Sequence, residues 1–250
     1  MLRDLSAFAV FLVPITAIAP AMAQTAPKPD GLWRGALGAG FTATSGNTDS
    51  ATVSINGDAV KQTKHDKLSG YLQAIYGRQD VNGSTKRTSE LLRGGTAYNR
   101  DIDERRFGFG SLDLERNMLA DLELRSVIAA GLGYHLIRRE GLTLDVSTGP
   151  AYNREQFSTQ TRGGLEWLVA EESTHALTPA VSFRQRLAYY PSLNESGEFR
   201  TVFDAGFVFK VTSRWNATMT INNRYQSNPP PGVKKNDLLF VTGLQYSFKP

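Results

Sequence analysis

Beyond about residue 33 the chain runs as a succession of short segments, about 12 of them, in which apolar and polar residues alternate and each ends in turn chemistry. The clearest is Phe199–Val211. Phe199, Thr201, Phe203, Ala205, Phe207, Phe209 and Val211 fall on one side, and Arg200, Asp204, Gly206 and Lys210 on the other. Successive side chains of a strand point to opposite faces, so this period predicts a strand with one greasy and one ionic face. A sheet wall between lipid and water has that character. The pattern therefore predicts an all-β fold, an antiparallel up-and-down transmembrane β-barrel of about 12 strands.

The other segments are Trp33–Ser45, Ser50–Gln62, Lys67–Gln79, Thr88–Asn99, Arg105–Glu115, Leu122–Ile137, Leu142–Asn153, Gly163–Ala170, Ala180–Tyr190, Arg214–Tyr225 and Asn236–Phe248. In the fifth, Phe107 and Phe109 oppose Leu112 and Leu114, and a bulge would explain the switch of face. Asn82-Gly83 is the strongest hairpin signal. An even strand count puts both ends on the periplasmic side, which makes Lys64–Asp66, Asp101–Glu104, Arg138–Gly141, Glu172–Leu177 and Thr212–Ser213 the periplasmic turns. Trp33, Tyr98, Tyr134, Trp215 and Phe248 are expected in one interfacial girdle, and Tyr76, Tyr152, Tyr189 and Tyr225 in the other.

The start of the chain reads differently. An apolar stretch, Leu5–Ile18, precedes Ala21-Met22-Ala23, an A-x-A cleavage site. Residues 1–23 are predicted to be a secretory signal peptide, too short for a helix that spans with about 20 apolar residues. Residues 24–32 form a short leader, and residues 33–250 a single outer-membrane barrel domain. Cysteine is absent, so neither disulfides nor thiolate metal sites are available. The net charge is +4, but the 28 Lys and Arg are scattered, and no stretch reads as a nucleic-acid arm. A mean hydropathy of −0.31 argues against a helical membrane protein and not against a barrel, where only alternate residues meet lipid.

Gly38-Ala39-Gly40-Phe41-Thr42-Ala43-Thr44 followed by Ser45, Gly46, Asn47 and Thr48 resembles the S-G-N-T signature of the DUF481 family. Gly131-Leu132-Gly133-Tyr134 and Gly149-Pro150-Ala151-Tyr152 are similar to that family's central strands. The family is described as salt-induced outer-membrane proteins, so the resemblance implies an outer-membrane barrel and no settled activity. Leu244, Tyr246 and Phe248 look like the terminal signal read by the barrel assembly machinery, although Lys249 and Pro250 follow the last aromatic.

Candidate chemistry is sparse. His65 and His175 fall in expected periplasmic turns, and His135 faces the lumen, so no Ser–His pair is expected at the outer leaflet and no catalytic residue is assigned. Asp101, Asp103 and Glu104 lack the ligand spacing of a calcium loop, and no metal or cofactor is expected. The remaining site is the lumen face: Arg34, Asp58, Arg93, Arg125, Asp145, Glu166, Arg200, Asp204, Lys210, Arg214 and Arg224. It supports two readings, a water-filled pore that passes a small solute or ion with mild anion preference, or an ionic network that fills the barrel. The expected function is a non-enzymatic barrel embedded in the outer-membrane bilayer, either a narrow channel or a salt-responsive structural protein. The alternatives are an outer-membrane lipid-modifying enzyme and a soluble periplasmic lipid-binding barrel. The last would need the Phe199–Val211 apolar face to point into a cavity.

Overall fold

A computed structural model describes residues 29–44, 49–81 and 84–248. The strands, in chain order, are β1 (Trp33–Thr44), β2 (Asp49–Gln62), β3 (Asp66–Val81), β4 (Ser84–Asp101), β5 (Arg106–Asn117) and β6 (Leu122–Arg139). There follow β7 (Leu142–Phe157), β8 (Thr161–Ala176), β9 (Val181–Pro191), β10 (Phe199–Lys210), β11 (Trp215–Gln226) and β12 (Asn236–Phe248). Each pairs antiparallel with its chain neighbours, and β1 closes on β12 with Gly35 opposite Phe248 and Ala39 opposite Leu244. The result is a closed up-and-down barrel, which leaves no unpaired sheet edge. Among the described residues the only helical turn is Met118–Ala120.

The alternation works as expected, with lipid-like character outside. On β6 Leu132 is 63% exposed while Ala129, on the opposite face, is 2% exposed. Leu37, Phe41, Leu72, Ile128, Phe240 and Leu244 are likewise exposed on the outer wall. A water-soluble barrel would turn such side chains inward. Phe207 of the Phe-rich strand is also exposed, so its apolar face is turned outward and not into the interior of the barrel. One wall carries an apolar cluster inside the barrel, where Val127, Ala129, Ala151, Leu168, Ala188 and Tyr190 pack together.

Two segments depart from expectation. The fifth needs no bulge between its phenylalanines and leucines. Phe107 is buried inside and Leu114 is exposed outside, so both faces carry apolar residues, and the register shift with β6 comes later, between Glu115 and Asn117. The eighth strand is longer than Gly163–Ala170. Glu172–Ala176, expected as a turn, continues the β8 ladder, with Glu172 opposite Asp145 and His175 opposite Leu142. The real turn is residues 177–180, closed by amides of Leu177 and Thr178 donating to the Val181 carbonyl. The Asn82-Gly83 hairpin, Ser45–Thr48, residues 1–28 and residues 249–250 lie outside the described residues.

Candidate functional site

The lumen is crossed by ionic side chains. In the ring of strands β4 and β10 stand opposite each other, and Arg93 Nη2 of β4 lies 3.7 Å from Asp204 Oδ1 of β10. Asp204 also accepts from Arg224 Nη1 and Nη2 at 2.9 and 3.1 Å and from Asn222 Nδ2 at 2.7 Å. Two guanidiniums therefore face one carboxylate. Arg93 is buried, and its Nε has no hydrogen-bond partner, nor has Asn222 Oδ1. Such orphaned groups are places where water or an ion would sit.

A second crossing joins β6, β7 and β11. Arg125 donates to Glu155 (Nε–Oε1 2.9 Å) and to Gln226 Oε1 at 3.3 Å, and Gln226 Nε2 returns a bond to Glu155 Oε2 at 3.3 Å. A third, weaker one sets Lys67 Nζ of β3 4.0 Å from Glu172 Oε1 of β8. Nearer the wall, Arg200 grips Glu166 with two donors, Nε to Oε1 at 2.8 Å and Nη2 to Oε2 at 2.6 Å, and its guanidinium lies 4.4 Å over the Tyr190 ring. This is the fork geometry that makes Arg–carboxylate pairs strong.

Several of these contacts link strands two apart in the ring, and a small residue on the strand between makes room. Tyr71 of β3 donates to Asp113 Oδ1 of β5 at 2.8 Å across Gly95 of β4. A Cβ on Gly95 would sit 2.6 Å from that Asp113 oxygen and 2.7 Å from the Tyr71 ring, so only glycine permits the bond. Gln245 Nε2 reaches Asp58 Oδ1 at 2.9 Å, from β12 past β1 to β2.

A family model matches residues 37–248, with the description "Protein of unknown function, DUF481". The chain belongs to the DUF481 family. A comparison with curated proteins found no match. Among solved structures, this DUF481 chain is similar to the translocator domain of autotransporter NalP from Neisseria meningitidis, at 15% identity over 86% of this chain and 87% of that one, TM-score 0.47. It is also similar to a KdgM porin in complex with disordered oligogalacturonate, at 10% identity over 87% and 100%, TM-score 0.44. A third is the CymD monoaromatic hydrocarbon channel, at 12% identity over 87% and 88%, TM-score 0.40. At these values the likeness says nothing about cargo or activity.

Of the residues assigned to the lumen from sequence, Arg93, Arg125, Glu166, Arg200, Asp204 and Arg224 meet in the clusters above. Asp58 and Asp145 also face inward. Asp145 Oδ1 lies 2.7 Å from His135 Nδ1, while His135 Nε2 is 3.4 Å from Asp101 Oδ1, and the ring lies 4.7 Å from Phe107. His135 is thus a fully engaged lumen residue of this DUF481 barrel. Arg34 sits at the rim, paired with Asp30, and Lys210 is exposed at the end of β10. Arg214 is a correction. It lies in the turn before β11 and its Nη1 donates to Tyr246 Oη at 3.1 Å, on the outer aromatic belt. That belt is real at this end: Trp215 and Tyr246 meet edge to face at 5.2 Å, and Tyr246 and Phe248 at 5.1 Å. His175 is the second correction, a strand residue on the outer face rather than a turn residue.

Sequence reasoning missed Tyr71, Asp113, Glu155, Gln226 and also Glu115, whose Oε2 lies 3.7 Å from Arg125 Nη1. Glu155 falls in a segment read as loop, although β7 continues to Phe157. Asp113 and Glu115 were hidden by the ambiguity of β5. For both, the signal was parity: each follows Phe107 and Phe109, or Asn153, at even spacing.

Proposed function

We propose that this protein is a non-enzymatic barrel of the outer membrane and that its lumen is a narrow channel for small ions, constricted by Arg93, Asp204 and Arg224. The apolar outer wall with its aromatic rim supports a bilayer setting. Export with loss of residues 1–23, and insertion read from Leu244, Tyr246 and Phe248 by the barrel assembly machinery, belong to the same reading. The observation that carries the channel is the Arg93–Asp204 approach across the full width of the barrel, loose at 3.7 Å and flanked by unpartnered polar groups. An aqueous path there is pinched, not sealed by packed apolar side chains, and its excess of guanidinium favours small anions.

Planar-bilayer conductance of the refolded mature protein under a salt gradient tests it. Small discrete steps with an anion-biased reversal potential are expected, with larger steps and less anion bias in Arg93→Ala. Verified insertion without conductance in both proteins refutes the channel and leaves a structural envelope role.

A further inference from the structure

One patch of the outer wall breaks the apolar rule. Along β8 the outward positions run Leu165, Trp167 and Val169, and then Glu171, Ser173 and His175; on β9, Gln185 faces the same way, directly opposite Ser173. These four side chains line a groove of about 620 Å³, whose other walls include Leu142, Leu144, Phe183 and Phe207. Two internal bonds organise it. Ser173 Oγ and His175 Nε2 lie 3.1 Å apart, and Gln185 Nε2 donates to Glu171 Oε2 at 3.0 Å. The groove opens near the short turns, since His175 comes two residues before the turn at 177–180.

A carboxylate facing lipid is costly, though by less than a Lys or Arg at the bilayer midplane, which costs about 2–4 kcal/mol, and the cost falls off near the interface. Ionisable groups retained in such places point to a ligand or a function. Here Glu171 has a neutral amide as its bonding partner, so its charge is left for something else. Two aromatic rings stand in the same groove, Phe183 and Phe207, with centroids 4.9 Å apart, and the His175 ring lies 5.8 Å from Phe183. A carboxylate that shares a groove with aromatic rings suits an alkylammonium, which can gain both an ion pair and cation–π attraction. The imidazole of His175, bonded to the buried Ser173 hydroxyl, supplies a donor suited to a phosphate, and Leu142 and Leu144 give apolar surface for a chain.

We propose that this groove binds one zwitterionic glycerophospholipid of the leaflet on the short-turn side, with its ammonium on Glu171 and turned toward the Phe183 ring, and its phosphate on His175. The proposal rests on the membrane setting argued above but not on conductance, so either can fail alone.

The test is native mass spectrometry of the full mature protein released from micelles containing equal phosphatidylethanolamine and phosphatidylglycerol. Retention of one phosphatidylethanolamine is expected, with a preference on the order of tenfold. Glu171→Gln should abolish the preference and Phe183→Leu should weaken it, whereas Glu195→Gln in an opposite-side loop should leave it intact. Heat-modifiable gel migration establishes that each variant is folded, and the wild-type competition stands without them. Equal retention of both lipids, or a preference that survives Glu171→Gln, overturns the proposal. Release of fatty acid from the bound lipid also overturns it, because Ser173 and His175 would then be acting on an ester rather than holding a headgroup.

Discussion

Removing Glu166 tests whether the inner wall is dry. Its carboxylate takes two charge-assisted bonds from Arg200, at 2.8 and 2.6 Å, and one from Asn153 Nδ2 at 3.2 Å, and both charged residues are under 9% exposed. Glu166→Ala leaves the guanidinium buried without its fork partner. Breaking one half of a buried pair costs about 3–5 kcal/mol. Asn153 also donates to Glu155, so a second carboxylate stands nearby, and the loss should fall toward the lower end, about 3 kcal/mol. Urea titration of the refolded protein, followed by tryptophan fluorescence, reads this loss, with Trp167 on the outer face of the same strand as a reporter. Arg200→Ala should cost a similar amount, and the double variant should cost less than the sum, by about 2 kcal/mol. A single-variant loss below about 1 kcal/mol is what a solvated pair gives, and would refute a dry inner wall.

Three further outcomes follow from local geometry. A Cβ on Gly131 would lie 2.1 Å from the Thr148 carbonyl oxygen, so Gly131→Ala should cost at least about 2 kcal/mol in the same titration, whereas Gly110→Ala, with nothing within 4 Å, should be near neutral. A Cβ on Gly133 would meet the Phe107 ring at 2.1 Å, so Gly133→Ala should push that ring off His135, seen as a changed histidine ring resonance in NMR spectra. In the turn after β4, the Arg105 amide and the Arg106 guanidinium hold Asp103 below the ordinary carboxylate range. A depressed folded pKa stabilises above the unfolded value and the benefit is lost as pH falls through the folded one, so the stability gap between wild type and Asp103→Asn should be present at neutral pH and shrink below about pH 4.

The barrel was legible because two media impose a period of two on nearly every strand. The failures mark places where something else governs a face. Phe107 and Phe109 point inward to fill space over Gly133 and beside the apolar cluster, which puts bulk on both sides of β5. Glu171, Ser173 and His175 bring polar groups to the outside of β8, and with Glu172 and Thr174 inward the segment is polar on both faces and mimics a turn. The lumen charges could be named from parity but not paired. Asp58 and Gln245 are 187 residues apart, and Arg125 and Gln226 are 101 apart, so these contacts exist only once the ring has closed.

A ring of 12 strands is intermediate between barrels that side chains fill and barrels that stay open, so the contacts between opposite walls decide its character. The ionic contacts inside the barrel are of two kinds. Arg200 and Glu166 lock at both oxygens beneath the Tyr190 ring, close to one wall. Arg93 approaches Asp204 to 3.7 Å from the far wall and leaves its Nε without a partner, while Asp204 is already held by Arg224 and Asn222. The first kind carries stability, and the second, in the channel proposed above, would narrow the lumen with little binding energy of its own. Asp204 keeps Arg224 and Asn222 when Arg93 is lost, so no buried charge is stranded, and Arg93→Gln should raise single-channel conductance while changing unfolding free energy by no more than about 1 kcal/mol; Glu166→Ala, which strands Arg200, should do the reverse. If Arg93→Gln instead destabilises the barrel by about 3 kcal/mol, the crossing is a structural strut and the lumen is not a path.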